Sequence, residues 1–272
     1  MTVEELVPDG LWAEIAPLLP PPPPRPKGGR RRVPYRNVVA GIVYVLRTGV
    51  PWRYVPAREL GCGSGVTCWR RLVEWQQAGV WEQLHQRLLE RVNAAGGLDW
   101  SAASLDSTSV RAKRGGSWFG ANPTDRGKPG SKYHLIVDGS GLPLAALVSA
   151  ANTHDSRLLV ALVDRVGPVR GRVGRPRRRP GRLYADKAYD FGRCRRALRA
   201  RGISVRIARR GVQSFRRLGR QRWKVERTIA WLLEHRRLQV RYERLAAVLE
   251  GLLLLACALM CWRSLRILKG GT

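Results

Sequence analysis

A change of period near residue 95 narrows the folds open to this chain more than any other feature. Up to Val92, apolar residues recur at helical spacing, as in Val38, Val39, Ile42, Val43 and Leu46. Beyond Asn93–Gly97 the period becomes that of strands. Tyr133–Val137 and Leu142–Val148 run apolar on either side of Asp138-Gly139-Ser140-Gly141, a turn sequence suited to a hairpin. A chain that switches period in this way combines a helical first part with a sheet-containing remainder.

In the first part, residues 2–19 form a short amphipathic helix with Leu11, Ile15, Leu18 and Leu19 on one side. Pro20 to Pro24 cannot stay helical, and with Lys27 to Arg32 they make an exposed basic linker. Helices follow at 37–47, 65–77 (Val66, Trp69, Leu72 and Val73 inward) and 80–92, with Gly49, Pro51 and Pro56 punctuating the turns. Short helices with tight turns, and Arg70 and Arg71 on an outer face, suit a helix-turn-helix-like module in residues 1–98. A helical subdomain whose arginines are merely solvated fits the same pattern.

In residues 99–272, a strand from Leu98 leads into Asp106, and the hairpin follows. Next come a helix over 154–166, an irregular Gly/Pro/Arg-rich stretch over 167–182 and a strand over 182–186. The chain continues with a helix over 189–201, a strand over 203–208 and long helices from Gln221. The order β-β-β-α-β-α-β-α gives an α/β fold, a mixed sheet with helices on its faces. It is the order of a ribonuclease H-like fold.

Charge bears on the partner. Fifty Lys and Arg stand against twenty Asp and Glu, a formal charge of +30. Such an excess points to a polyanion, nucleic acid or an anionic membrane surface. Only seven of the fifty are Lys, and a GC-rich coding background inflates Arg without functional demand. The excess is nevertheless uneven: residues 1–98 carry +5, whereas 156–222 alone carry 22 basic and 3 acidic side chains. The apolar run Leu252–Trp262 is about half the ~20 residues that span a bilayer, so a buried C-terminal helix is expected and no membrane partner. The acidic, Pro-rich N-terminus lacks the basic and apolar regions of a secretory signal. Five cysteines without paired spacing suit a reducing, cytoplasmic setting.

In so basic a chain the acids at strand ends are informative. Asp106 follows an apolar strand, and Asp186 ends Leu183-Tyr184-Ala185 inside the most basic stretch. If those strands are adjacent, both carboxylates emerge at one sheet edge. Glu226, forty residues on, lies in the first turns of a helix able to pack beside it. Three converging carboxylates are an oxygen-ligand set for Mg²⁺, with Mn²⁺ as substitute, near phosphate. The same spacing fits three ion-pair partners for nearby arginines.

The text around each acid resembles the DDE transposases of bacterial insertion sequences, the insertion sequence five group. LDSTSVRA carries Asp106, YADKAYD carries Asp186 and RWKVERTIAWLLEHRRLQVRYE carries Glu226. LWAEIAPLLP, GIVYVLRTGVPWRYVP and WRRLVEWQQAGVWEQL resemble the domain that precedes the catalytic core, and YHLIVDGSGLPLAALVSAANTHDS the intervening strands. The resemblance covers nearly the whole chain in order. It implies a ribonuclease H-like catalytic domain, Mg²⁺ dependence and cut-and-paste chemistry on double-stranded DNA at terminal inverted repeats. Assembly of several copies on the DNA is expected. One departure stands out: around Glu226 the family's Arg is met by Arg222, but its Tyr position holds Gly219 and its Lys position Leu233. The nearest replacements are Arg236 and Arg237. On a continuous helix Arg237 would share the Glu226 face about 16 Å further along.

The expected DNA contacts are therefore Arg70 and Arg71, Arg177, Arg178 and Arg179, Lys187, Arg222, Arg236 and Arg237. Trp118, in a Gly-rich loop, is either a stacking platform for a base or a loop anchor. His154 starts a helix or stands near the site, since no Gly-x-Ser-x-Gly elbow accompanies it. Gly127-Lys128-Pro129 lacks P-loop spacing, so no nucleotide cofactor is expected. Two functions compete: an active transposase, and a catalytically inactive DNA-binding protein descended from one.

Overall fold

A computed structural model describes residues 1–22, 24, 32–209, 211 and 215–270, and for 215–221 the backbone alone. Most of the expected linker, Lys27–Arg31, lies outside the described residues.

The N-terminal part is helical. Its elements are α1 (Val3–Leu6), α2 (Asp9–Ile15), α3 (Tyr35–Thr48), α4 (Gly65–Gln77) and α5 (Val80–Ala94). Each boundary has a local cause. Thr2 and Glu5 form a capping box at α1. Ser64 accepts from the Thr67 N–H to start α4. Gly49, at φ +74°, ends α3 in the left-handed conformation that a side chain resists. The buried face of α4 is Gly65, Cys68, Leu72 and Trp75. Val66, expected to point inward, is 53% exposed. The inward stripe is set by Trp75, which meets Tyr35 and Trp81 edge to face at 5.3 and 5.9 Å.

The remainder holds β1 (Ala103–Ala112), β2 (Gly120–Ala121), β3 (Pro129–Asp138), β4 (Pro143–Ala150), α6 (Leu159–Asp164), β5 (Arg182–Ala185), α7 (Gly192–Ala200), β6 (Ser204–Ile207), α8 (Phe215–Glu234), α9 (Arg236–Gln239), β7 (Val240–Arg241) and α10 (Ala246–Leu268). The sheet runs β2-β3-β1-β5-β6, with β4 also on β3 and β7 also on β1. β3 is antiparallel to β1 and β4, whereas β5 is parallel to β1 and β6. This is the α/β, ribonuclease H-like mixed sheet that the order of elements predicts. β3 and β4 are buried at nearly every position, the signature of strands covered on both faces.

Two helices tie the parts together. α8 packs on β1, β3 and β5. α10 packs most extensively on α5 and also on β4 and α4, so one apolar cluster runs from Leu6 to Leu265. At 23 residues α10 is twice as long as the apolar run predicts, and its length and composition would suit a membrane span; 78% of its apolar window is buried inside the protein.

Candidate active site

The parallel pairing of β1 with β5 builds the site. Ser104 lies opposite Tyr184, and the same register carried two residues further brings Asp106 level with Asp186. In parallel strands, residues at one level point to one face. Asp106 is in mid-strand, not at a strand end as expected, because β1 continues to Ala112 along β3. Asp186 follows directly on Ala185, the last residue of β5. It caps the short turn Lys187–Tyr189, its Oδ1 accepting from the Ala188 N–H at 2.8 Å.

Glu226 comes from α8, whose position is fixed by the β3–β4 hairpin. The Lys224 ammonium bonds to the Gly139 carbonyl, Arg227 Nη2 to that of Ser140 at 2.8 Å, and Thr228 Oγ1 to that of Gly141 at 2.6 Å. Asp138 holds the turn from inside. Its Oδ1 accepts from the N–H groups of Ser140, Gly141 and Leu142, and its Oδ2 from that of Asp99. These contacts deliver three turn carbonyls to one stretch of helix, and Glu226 lies within that stretch.

Arg222 joins the acids. Its Nη2 is 2.9 Å from Asp106 Oδ2 and 3.5 Å from Glu226 Oε1. Burial pushes the Asp106 carboxyl up, and the nearby Asp186 charge adds to this. The Arg222 charge and hydrogen bond and the Ser107 N–H pull it down. Sequence reasoning missed two neighbours of this cluster. The buried Tyr189 hydroxyl is raised well above its ordinary range, first by burial and then by Asp155, Asp106 and Asp186. Asp155 accepts from Lys132 Nζ at 2.9 Å. Both border a polar stretch where Ser107, Thr108, Ser109, Lys132 and Asp155 help line a cavity of about 510 Å³. The one signal available in the letters was a Tyr three places after Asp186.

The donor set fits a divalent cation by its chemistry: the oxygens are carboxylates, hard ligands, from the half-buried Asp106 and Asp186 and from the exposed Glu226 on α8. Among the described residues no three His, Cys, Asp or Glu side chains stand close enough to hold one ion as they are.

Two sequence profiles match the chain, one described as "Putative transposase of IS4/5 family" over residues 7–85 and one as "Transposase DDE domain" over residues 101–261. The chain belongs to the DDE transposases of bacterial insertion sequences. It is 50% identical over 147 residues to the "Putative transposase for insertion sequence element IS402" of Burkholderia cepacia, a match covering 54% of this chain and 70% of that protein. It is also 52% identical over 120 residues to the "Insertion element IS402 uncharacterized 16.2 kDa protein" of the same organism, covering 43% and 81%. Family membership assigns this transposase to DNA transposition, and the family generally uses divalent metal ions.

The expected DNA contacts of the transposase divide on inspection. Arg70 on α4 is exposed, as are Arg177, Arg178, Arg179 and Arg236. Lys187 is half-buried beside Asp186. Arg71 is half-buried, pairs with Glu74 and stacks over Tyr35, so it is committed to the helix surface. Arg237 is no surface contact at all. It is 5% exposed, its Nε and Nη2 bond Glu243 at 2.8 and 2.6 Å, and Nη1 reaches the Val50 carbonyl at 3.2 Å. Nor does it share a helix with Glu226, since α8 stops at Glu234 and His235 is extended. Trp118 is 49% exposed and its backbone sits at φ +56°. It is the Trp118 carbonyl, bonded by Ser131 and Arg241, that anchors the loop. His154 starts the turn Asp155–Arg157 by accepting from Ser156 N–H.

Proposed function

We propose that this transposase binds the terminal inverted repeats of its element and catalyses metal-dependent strand cleavage and strand transfer, with Asp106, Asp186 and Glu226 as the catalytic carboxylates. The observation that supports this is the parallel pairing of β1 with β5, whose register carries Asp106 toward the level of Asp186, with Arg222 in reach of both Asp106 and Glu226. Mg²⁺, with Mn²⁺ as substitute, would be held by these three and would supply an activated water or 3′-hydroxyl and a stabilised leaving oxygen. The clamp on α8 fixes the direction from which Glu226 approaches. Arg222 and Lys187 border the acids and grip the phosphate on either side of the scissile bond.

Residues 1–98 recognise the repeat and 99–272 carry the chemistry, on several copies assembled on the DNA in the bacterial cytoplasm. α4 is the candidate reading element, presenting Arg70 and the exposed Val66 at its outer side, an arginine for a guanine edge and an apolar group for a thymine methyl. Arg177, Arg178, Arg179 and Arg236 bind backbone regardless of sequence. The test is Asp106→Asn, Asp186→Asn and Glu226→Gln, each removing a ligand charge without enlarging the side chain. Nicking of repeat DNA in Mg²⁺ should vanish while DNA affinity stays within a few-fold. Cutting that survived Asp186→Asn would overturn the assignment, and a wild-type chain that binds but never cuts would leave an inactive DNA-binding descendant.

A further inference from the structure

Arg222 occupies the place from which a cation would serve Asp106 and Glu226. One nitrogen, Nη2, lies between their oxygens at 2.9 and 3.5 Å. Among the described ion pairs it is the one cation that reaches Asp106. Arg222 is 16% and Asp106 18% exposed, so that contact is sheltered, whereas Glu226 is 59% exposed and holds the open side of the pairing. The Arg222 Nε is buried and has no hydrogen-bond partner among the described residues. A guanidinium settled for structural reasons ordinarily engages a carboxylate through two nitrogens, and an orphaned buried donor is costly. Arg237 with Glu243 shows the settled form in this same protein, with Nε and Nη2 both on one carboxylate oxygen.

We propose that Arg222 is a resident counter-ion, which neutralises Asp106 and Glu226 in the metal-free chain and must leave before the two can share a divalent cation. The inference rests on Asp106, Asp186 and Glu226 forming the cation site. A guanidinium and a dication cannot both take the same oxygens, so each lowers the affinity of the site for the other. A phosphate diester entering beside the acids gives the guanidinium another anion and so favours its departure. The site then resists loading with metal until DNA is present. The competing view makes Arg222 a fixed prop for Glu226, in which case its loss weakens the metal site.

The two views predict opposite signs. Free Mn²⁺ is titrated by electron paramagnetic resonance against the full chain without DNA. Arg222→Ala should bind Mn²⁺ about tenfold more tightly than wild type. Its melting midpoint should fall below wild type in EDTA and recover at saturating Mn²⁺, because the ion restores the lost neutralisation. Should the Ala variant fail to fold, Arg222→Gln keeps a donor and drops the charge, and the same gain in affinity is expected. Unchanged or weaker Mn²⁺ binding in the folded variant overturns the counter-ion role. Asp186→Asn separates the two levels. If it leaves wild-type Mn²⁺ affinity untouched, the carboxylate site itself falls and this inference with it. If it lowers affinity while Arg222→Ala does not raise it, only the counter-ion role falls.

Discussion

His85 lies on α5 with its Nε2 2.8 Å from the Pro143 carbonyl, which can only accept, so Nε2 carries a proton and donates it. Burial pushes this imidazole from 6.5 down to about 4, against the opposing pull of the carbonyl. The sign follows. Above pH 6.5 neither folded nor unfolded chain is protonated here and the group is neutral to stability. As pH falls from 6.5 toward 4 the unfolded chain takes a proton that the folded chain refuses, so stability is lost across that window at up to about 1.4 kcal/mol per pH unit. Denaturant unfolding of His85→Gln should decline less steeply between pH 6.5 and 4.5 than wild type; parallel slopes would contradict it. His134, also buried and pushed down to about 4, adds to the slope in the same sense and should persist in the variant. Arg237 makes the opposite kind of statement. Arg237→Ala leaves the Glu243 carboxylate buried and unpaired, which costs about 3–5 kcal/mol. Loss of stability with no specific loss of DNA affinity is the expected pattern. Nothing in the letters distinguished Arg237 from Arg236, because burial of an arginine depends on a glutamate six residues on and on carbonyls of a turn nearly 190 residues earlier.

At the scale of elements, the hairpin clamp on α8 explains why a turn so legible in sequence matters to a distant acid. Asp138-Gly139-Ser140-Gly141 reads as a turn because glycines are needed there, and Gly141 does sit at φ +99°. The letters do not show that its carbonyls are the seat of another helix. Gly141→Ala strains the backbone and sets a Cβ 2.6 Å from Arg227 Nη2, a cost of about 1–3 kcal/mol. It should also tilt α8 and lower single-turnover cleavage more than gel-shift affinity. Cleavage unchanged at equal folded fraction would show that the clamp does not govern Glu226. The helix read over 2–19 breaks at Val7-Pro8 into α1 and α2, the strand read from Leu98 starts only at Ala103, and the two-residue β2 and β7 went unread. The other longer strands and helices were legible, since period and punctuation are local properties. The break at His235 was not. Trp223 to Gln239 contains no Gly or Pro, and tertiary contacts of Arg237 end the helix where propensity would continue it. Asp106 and Asp186 could be picked out as acids in basic surroundings, whereas their level register needed the pairing of β1 with β5.

For the whole molecule, the charge of +30 predicts binding that weakens steeply with salt. Replacing Arg177, Arg178 and Arg179 together with Ala should weaken repeat and random DNA alike and flatten the salt slope by about 2. The full value of three is not expected, because Arg179 Nη1 already holds the Arg201 carbonyl at 2.9 Å. Arg70→Ala should instead lower the ratio of repeat to random binding. An unchanged ratio would remove α4 from the recognition surface.

The shared packing of α10 sets an order in time. A ribosome releases α4 and α5 early and α10 only after the whole sheet, although α10 covers part of their apolar stripe. Every strand and all three acids have therefore been synthesised while the helices expected to read DNA still expose a face meant for the interior. A chain stopped at Leu245 should carry that face into solution, bind a dye that reports exposed apolar surface, and aggregate. In the folded chain α10 is what covers the apolar face of α4 and α5, so any reading of DNA by α4 would depend on a helix made only after the whole sheet.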